Sequence, residues 1–441
     1  MSAQAISAIG SERATGGRGP KIATFDGITH VVWQDISRDG YLNQIRSFVH
    51  ATGDWTDTLT LNQGVDNHAR PVITIDSEGF IHTIMSGHGS PVSYRRSVNP
   101  NDASSFRPAL SAGAGTYPIL ICDNDDTIYY TVRAADADGV DLYAKAKRGE
   151  WRLVNKLITR TDRYRSGYAA FPNYICFGPD GTLHFVAAFY EGTGRTDNRG
   201  LHQAICYMRS VDRGKSWRKS DGSAIDLPAT PEGMDEIARS EEVRHEPMPT
   251  PDVSCGGIVA SPGGEVLVYC ISHRERPGEI LEYRIDTDGV WSERRIPVDD
   301  LFANERPVDS TFGSRDDGTV YGLVTLVPLS HGWMQGKPLR ASNTDDLADR
   351  RAVWLTNTPG SDVFQCTTEI EPGHKFNNPT VERTVGANPV PAGTLPAYLY
   401  FDGTSRYPRG LLGYFEDIQG YIENDELITN GVFWVGPREL E

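Results

Sequence analysis

Two histidines, a tyrosine and an arginine stand at matched places beside alternating apolar runs. His68 opens His68-Ala-Arg-Pro71-Val-Ile-Thr-Ile75, and Tyr117 stands in Thr116-Tyr-Pro118-Ile-Leu-Ile121. His88 lies in Ser86-Gly-His-Gly-Ser-Pro91, and Arg133 ends Tyr129-Tyr-Thr-Val-Arg133. The separations are twenty residues (His68 to His88) and sixteen (Tyr117 to Arg133), each the length of one strand out and one strand back. Arginine neutralises a carboxylate through two parallel hydrogen bonds. A tyrosine beside it gains a counter-charge for its phenolate and can then take a proton α to a carboxylate. Histidine exchanges a proton near neutral pH. These are the needs of β-elimination from a uronic acid: quench the carboxylate, abstract H5, protonate the leaving O4.

The elements that must carry these residues read as hairpins. A turn of Asp/Gly type followed by alternating apolar residues recurs at Phe25-Asp-Gly-Ile28, Asp76-Ser-Glu-Gly79, Asp123-Asn-Asp-Asp126, Pro179-Asp-Gly181, Pro262-Gly-Gly264, Asp316-Asp-Gly318 and Phe401-Asp-Gly403. Such turns between apolar runs are hairpin signals. A Trp follows several copies, at Trp55, Trp151, Trp217 and Trp291. Ser210-Val-Asp-Arg-Gly-Lys-Ser-Trp217 matches the Asp-box pattern S-x-D-x-G-x-x-W, which marks fold rather than chemistry. Seven copies at about 50-residue spacing predict an all-β chain, a seven-bladed β-propeller of four-stranded antiparallel blades. The propeller is expected to span residues 21–441 as a single domain. Residues 1–20 read as a tail or closing strand, and 222–250 as an acidic, irregular loop. Prolines mark strand entrances at Pro71, Pro118, Pro172 and Pro307, where a strand's first residue need not donate to the ladder. His68, Tyr117, Phe171 and Arg306 are therefore expected at one mouth of the funnel.

The stretch Asp66-Asn-His68-Ala-Arg-Pro71, then His88, Thr116-Tyr117-Pro and Arg133, resembles the BNR-repeat propeller polysaccharide lyases, the ulvan lyase and rhamnose–glucuronate lyase group. The resemblance in fold covers most of the chain, and the catalytic match covers residues 66–133. It implies a carbon–oxygen lyase acting on an acidic rhamnose–uronate glycan, ulvan first, with a 4,5-unsaturated uronate as product. It implies Tyr117 as base and also as acid, His68 and His88 as carboxylate-neutralising or proton-sharing groups, and Arg133 as holder of the acid group or as the counter-charge that eases ionisation of the Tyr. Whether His or Tyr takes the proton stays open. An aromatic contact in the next blade maps to Phe171 or Tyr174. Arg95, Arg96, Arg165 and Arg306 are further substrate-binding candidates, a local cationic cleft in an acidic chain. The reaction needs no cofactor. Some of the resembling lyases hold a structural zinc, for which His202, Cys206 and Cys255 are the weak candidates.

His82 and His184 lie within strands and read as structural. The chain of 441 residues has 43 Lys and Arg against 59 Asp and Glu, a net charge of −16, so nucleic acid is not the expected partner. No apolar run approaches the roughly 20 residues of a membrane span. The six cysteines show no CxxC pair, too sparse for a disulfide scaffold. The first ten residues lack the basic and apolar regions of a secretory leader. A polymer substrate nevertheless fits secretion or the periplasm, and the cytoplasm would fit oligosaccharides. A monomer is expected. The rival readings are a propeller glycoside hydrolase, of rhamnosidase or sialidase type, and a carbohydrate-binding propeller without catalysis.

Overall fold

The computed structural model describes residues 3–439 except 65, 162–167, 193–201, 241–252, 273–278, 287, 298–303, 329–349, 375 and 404–428. Among them the fold is all-β, with antiparallel sheets and one short 3-10 turn, Pro231–Gly233. Among the described residues no helix is long and apolar enough to cross a membrane. The chain divides into two compact units, one of residues 1–136, 143–153 and 375–441, the other of residues 137–142 and 154–374.

In the first unit one sheet runs Phe376–Val381, Tyr398–Asp402, Asn430–Val435, Gln4–Gly10, Ile28–Ser37, Gly40–Val49. The N-terminal strand is thus paired to the last long strand of the chain, Gln4 opposite Trp434 and Gly10 opposite Asn430. Residues 11–20 then run through buried surroundings. Asn430 Nδ2 donates to Ser11 O (3.0 Å), Thr15 Oγ1 donates to Asn378 O (2.9 Å) and Thr380 Oγ1 donates to Thr15 O (2.8 Å). The second sheet begins Val72–Ile75, Ile81–Met85, Ser90–Arg96, Leu110–Cys122, Ile128–Ala134. An aspartate ties its turns. Asp76 Oδ1 accepts from the amides of Glu78 (3.1 Å) and Phe80 (2.8 Å), and Asp123 Oδ1 does the same for Asp125 (2.9 Å) and Thr127 (2.8 Å). That is the side-chain route by which Asp nucleates a turn. Trp151 packs edge-on against Tyr94 and Tyr130, so its large apolar area covers the sheet face.

The second unit holds two four-stranded meanders, Val253–Ala260 to Trp291–Ile296 and Glu305–Ser314 to Gln365–His374. A third, larger sheet is built on Leu183–Gly192 and His202–Ser210. In the Asp-box turn Asp212 accepts from Ser210 Oγ, Ser216 N and Ser216 Oγ, and Trp217 is buried. The segment 222–250 is not wholly a loop: Asp235–Arg239 pairs with His202–Ser210, Ile205 opposite Ala238. The alternation Ile-Ala in an acidic stretch hid a short strand. Residues 241–250 lie outside the described set.

Candidate functional site

The residues of the candidate site described below belong to the first unit. Strand Leu110–Cys122 pairs Thr116 with Arg133 and then Ile119 with Thr131, so Tyr117 and Pro118 together oppose one residue. This is a β-bulge, a device that re-aims a side chain. Tyr117 sits there with φ 63°, the left-handed region that costs a bulky residue on the order of 1–2 kcal/mol. Strain of that size at a single aromatic residue is held by its surroundings. The Thr116 hydroxyl accepts from the Gly89 amide (2.7 Å) and from Arg133 Nη2 (3.4 Å). It thereby joins the loop carrying His88 to the bulge carrying Tyr117. Gly89 has φ 66°, a conformation glycine adopts without penalty.

The rings then meet. His68 and His88 have centroids 4.8 Å apart, and His68 and Tyr117 5.6 Å. Two guanidiniums face the Tyr117 ring: Arg133 Cζ lies 5.2 Å from its centroid and Arg70 Cζ 5.5 Å. Behind His68 stands the fully buried Asp66. It accepts the His68 amide at 2.8 Å and places Oδ2 3.2 Å from Nδ1.

Burial pulls the His68 imidazole down to about 4, aided by the charges of Arg13 and Arg70 and opposed by Asp66. The ring is therefore neutral at ordinary pH. Burial alone would raise the Asp66 carboxyl, but the bonds and charge of His68 outweigh it and hold it below its usual value. Arg70 is lowered to about 10, by burial first and then by Arg13. Neither Arg70 nor Arg133 pairs with a carboxylate among the described residues, although they are only 9% and 4% exposed. Buried charges are normally paired, because desolvation costs several kcal/mol. Two unpaired guanidiniums around one phenol make a place that favours an anion.

His68, His88, Tyr117 and Arg133 are brought together by the structure. Arg70 completes the group, and sequence reasoning passed over it although it stands directly before Pro71, as Tyr117 does before Pro118. Arg13 was also missed, since only long-range pairing brings residues 11–20 here. Arg95 and Arg96 do not reach the site. They pair with Thr83 and His82, roughly 17–20 Å along the strand from Ser90. There Arg96 stacks on Phe80 (3.4 Å). The remaining candidates belong to the second unit. Phe171 is buried edge-on against Phe189, and Tyr174 is a core residue beside Val186, Val268 and Tyr283. Both rings pack within the second unit. Arg306 is 1% exposed, and burial lowers its guanidinium to about 10. Arg165 lies outside the described residues, as does the side chain of His202. Cys206 and Cys255 are buried, and burial raises the Cys206 thiol. Among the described residues no three His, Cys, Asp or Glu side chains gather as a metal requires. His82 and His184 are tied to Tyr94 and Tyr207 hydroxyls, each at 2.7 Å.

The model of a BNR repeat-containing family member matches residues 29–297. The Ulvan Lyase-PL25 of Pseudoalteromonas sp. (strain PLSV) is 23% identical over 249 residues, 48% of this chain and 50% of that protein. The ulvan lyase of Alteromonas sp. (strain LOR) is 24% identical over 258 residues, 48% of this chain and 50% of that protein. The chain thus spans about half the length of the curated relatives it matches. Among solved structures, a PL25 ulvan lyase bound to -[GlcA(1-4)Rha3S]- superposes with a TM-score of 0.69 at 16% identity, covering 100% of this chain and 98% of that one. The polysaccharide lyase Uly1 gives 0.59 at 12% identity, with 97% and 91% covered. At these identities the likeness is one of fold.

Proposed function

The chain belongs to the BNR repeat-containing family, and from that premise we propose that it is a polysaccharide lyase acting on a rhamnose–uronate glycan of ulvan type. The scaffold in this reading is a seven-bladed β-propeller of four-stranded antiparallel blades. The observation that carries the reading is Tyr117, bulged out between two guanidiniums that pair with no carboxylate among the described residues, with His68 and His88 beside it.

The proposed reaction follows from those charges. Arg133 supplies positive charge where the uronate carboxylate binds, which makes the C5 proton more acidic, and Arg70 stands over the Tyr117 ring. Tyr117 takes that proton. The electron pair left on C5 forms the C4–C5 double bond as the C4–O4 bond breaks. O4 leaves with a proton delivered from Tyr117 or His88. His68, neutral and backed by Asp66, donates or accepts a hydrogen bond without carrying charge into the site. Every step is assigned to side chains of this chain. The substrate is an acidic polymer, sulfated in the ulvan case, which fits an enzyme that works as a monomer outside the cell or in the periplasm.

A continuous ultraviolet assay on ulvan tests the proposal. The expected result is rising absorbance from the conjugated unsaturated uronate, lost in Tyr117→Phe and His88→Ala. New reducing ends with a flat trace would mean hydrolysis and sink the lyase reading. A rise that survives both substitutions would keep the lyase and discard the constellation.

A further inference from the structure

We infer that Arg70 is a positioning residue for Tyr117, and that the N-terminal segment 11–20 builds its seat. This rests on the lyase reading for its activity arm only. The guanidinium lies 5.5 Å from the Tyr117 ring on one side. On the other it lies against two glycines. A Cβ placed on Gly16 would stand 2.8 Å from Arg70 Nη1, and one on Gly17 would stand 3.3 Å from Cζ. Gly17 has φ 102°, so a side chain there is excluded twice over. The Thr15-Gly16-Gly17-Arg18 stretch is a bare backbone wall, and Arg70 fills the space the missing side chains leave.

That wall does not stand by itself. Gly16 N donates to Arg13 O (2.9 Å), Thr15 is bonded to Asn378 and Thr380, and Arg383 Nη2 donates to Arg18 O (2.6 Å). Strand Gln4–Gly10, pairing with Asn430–Val435, sets where the segment begins. The two ends of the chain therefore decide where Arg70 sits, and Arg70 decides how much positive charge Tyr117 meets. The guanidinium sits over the face of the Tyr117 ring, an arrangement that holds ring and cation against each other.

Gly16→Ala is the discriminating variant. Gly16 lies outside the left-handed region, and the methyl's only severe contact is the tip of a flexible arginine. The variant should fold and melt as the parent does, while Arg70 is pushed from its seat. On ulvan we expect kcat to fall about 100-fold in Arg70→Met, within the range of general-base contributions. In Gly16→Ala it should fall about 10-fold, as for a small misplacement of a reacting group. KM should change little in either. The double variant should be no worse than Arg70→Met, because both act through one residue. A second readout needs no substrate: the near-ultraviolet circular dichroism band that Tyr117→Phe removes, which reports how the ring is held, should change in Arg70→Met, and by less in Gly16→Ala. Additive losses, or a band unchanged in both variants, would overturn the inference. If the parent leaves ulvan unchanged, the lyase reading fails by itself. The Tyr117 band then decides the seat: a change in both variants supports it, and no change refutes it.

Discussion

At one end of the sheet that begins at Val72, His82 meets Tyr94, Asp76 and Arg96; at the other, His68 meets Tyr117, Asp66 and Arg70. The residue types are the same and the wiring is opposite. His82 Nδ1 bonds the Tyr94 hydroxyl (2.7 Å), and Nε2 faces Asp76 Oδ2 (3.1 Å). Asp76 spends its other oxygen on the turn, and Arg96 spends its cation on Phe80. Burial raises the Tyr94 hydroxyl and lowers His82. Each group there is satisfied by another, which is what a structural network needs. At the site, Tyr117 sits at a bulge with a strained backbone, and its two guanidiniums pair with no carboxylate among the described residues. A His, a Tyr and an Arg near one another are therefore no sign of catalysis. The sign is the strained ring between two cations that no described carboxylate neutralises.

Matched substitutions can break this comparison. Tyr117→Phe removes the proposed proton acceptor and should lower kcat on the order of 1000-fold while leaving the melting temperature near the parent's. Tyr94→Phe should do the reverse. It removes a buried partner of His82, should cost about 1–2 kcal/mol of stability in a denaturant titration, and should leave turnover intact. If Tyr94→Phe stopped turnover in a fully folded protein, the division into structural and functional ends would be wrong. A smaller effect sharpens it. Thr116→Val deletes the hydroxyl that accepts from Gly89 and Arg133 while keeping the shape. Turnover should fall about 10-fold, through loosening of His88 and Arg133 together. Combining it with Arg133→Met should give less than the product of the two losses.

The sequence made one part of this site readable and not the other. His68, His88, Tyr117 and Arg133 are local in the sense that matters: each lies at the end of a strand whose turn is marked by Asp76 or Asp123, so counting residues brings them to one end. Counting also gave the position before a proline, but it was read as His68 in the first hairpin, where the residue before Pro71 is Arg70. Strand periodicity says which end a residue occupies only if its distance from the turn is kept. Arg95 and Arg96 were assigned to the cleft by loop proximity, and their pairing with Thr83 and His82 puts them near the other end. Phe171 and Tyr174 were assigned by analogy between repeats, but their rings went to the core of the second unit. The contribution of residues 11–20 depends on pairing between residues more than 400 apart, which no local pattern announces.

The two histidines also differ in what acid should do to them, and this is the smallest effect. Burial lowers His82 from 6.5, and lowers His68 from 6.5 to about 4. In the unfolded chain each imidazole takes its proton near pH 6.5, before the folded one does. Below about 6.5, and for His68 down to about 4, the unfolded state then binds more protons, so stability falls as pH falls. Glu12 and Glu382 act in the other direction. Burial raises their carboxyls above 4.5, so their contribution is lost as pH rises above that value. A difference measurement separates them. Parent and variant are unfolded in denaturant at pH 7 and at pH 5.5, so that the glutamates cancel. His68→Gln should lose about 1 kcal/mol less than the parent over that interval, and His82→Gln should also lose less. Turnover should vanish in His68→Gln alone. Equal acid sensitivity in parent and variants would mean the imidazoles reach solvent, and the contrast between a neutral site histidine and a neutral structural one would lose its basis.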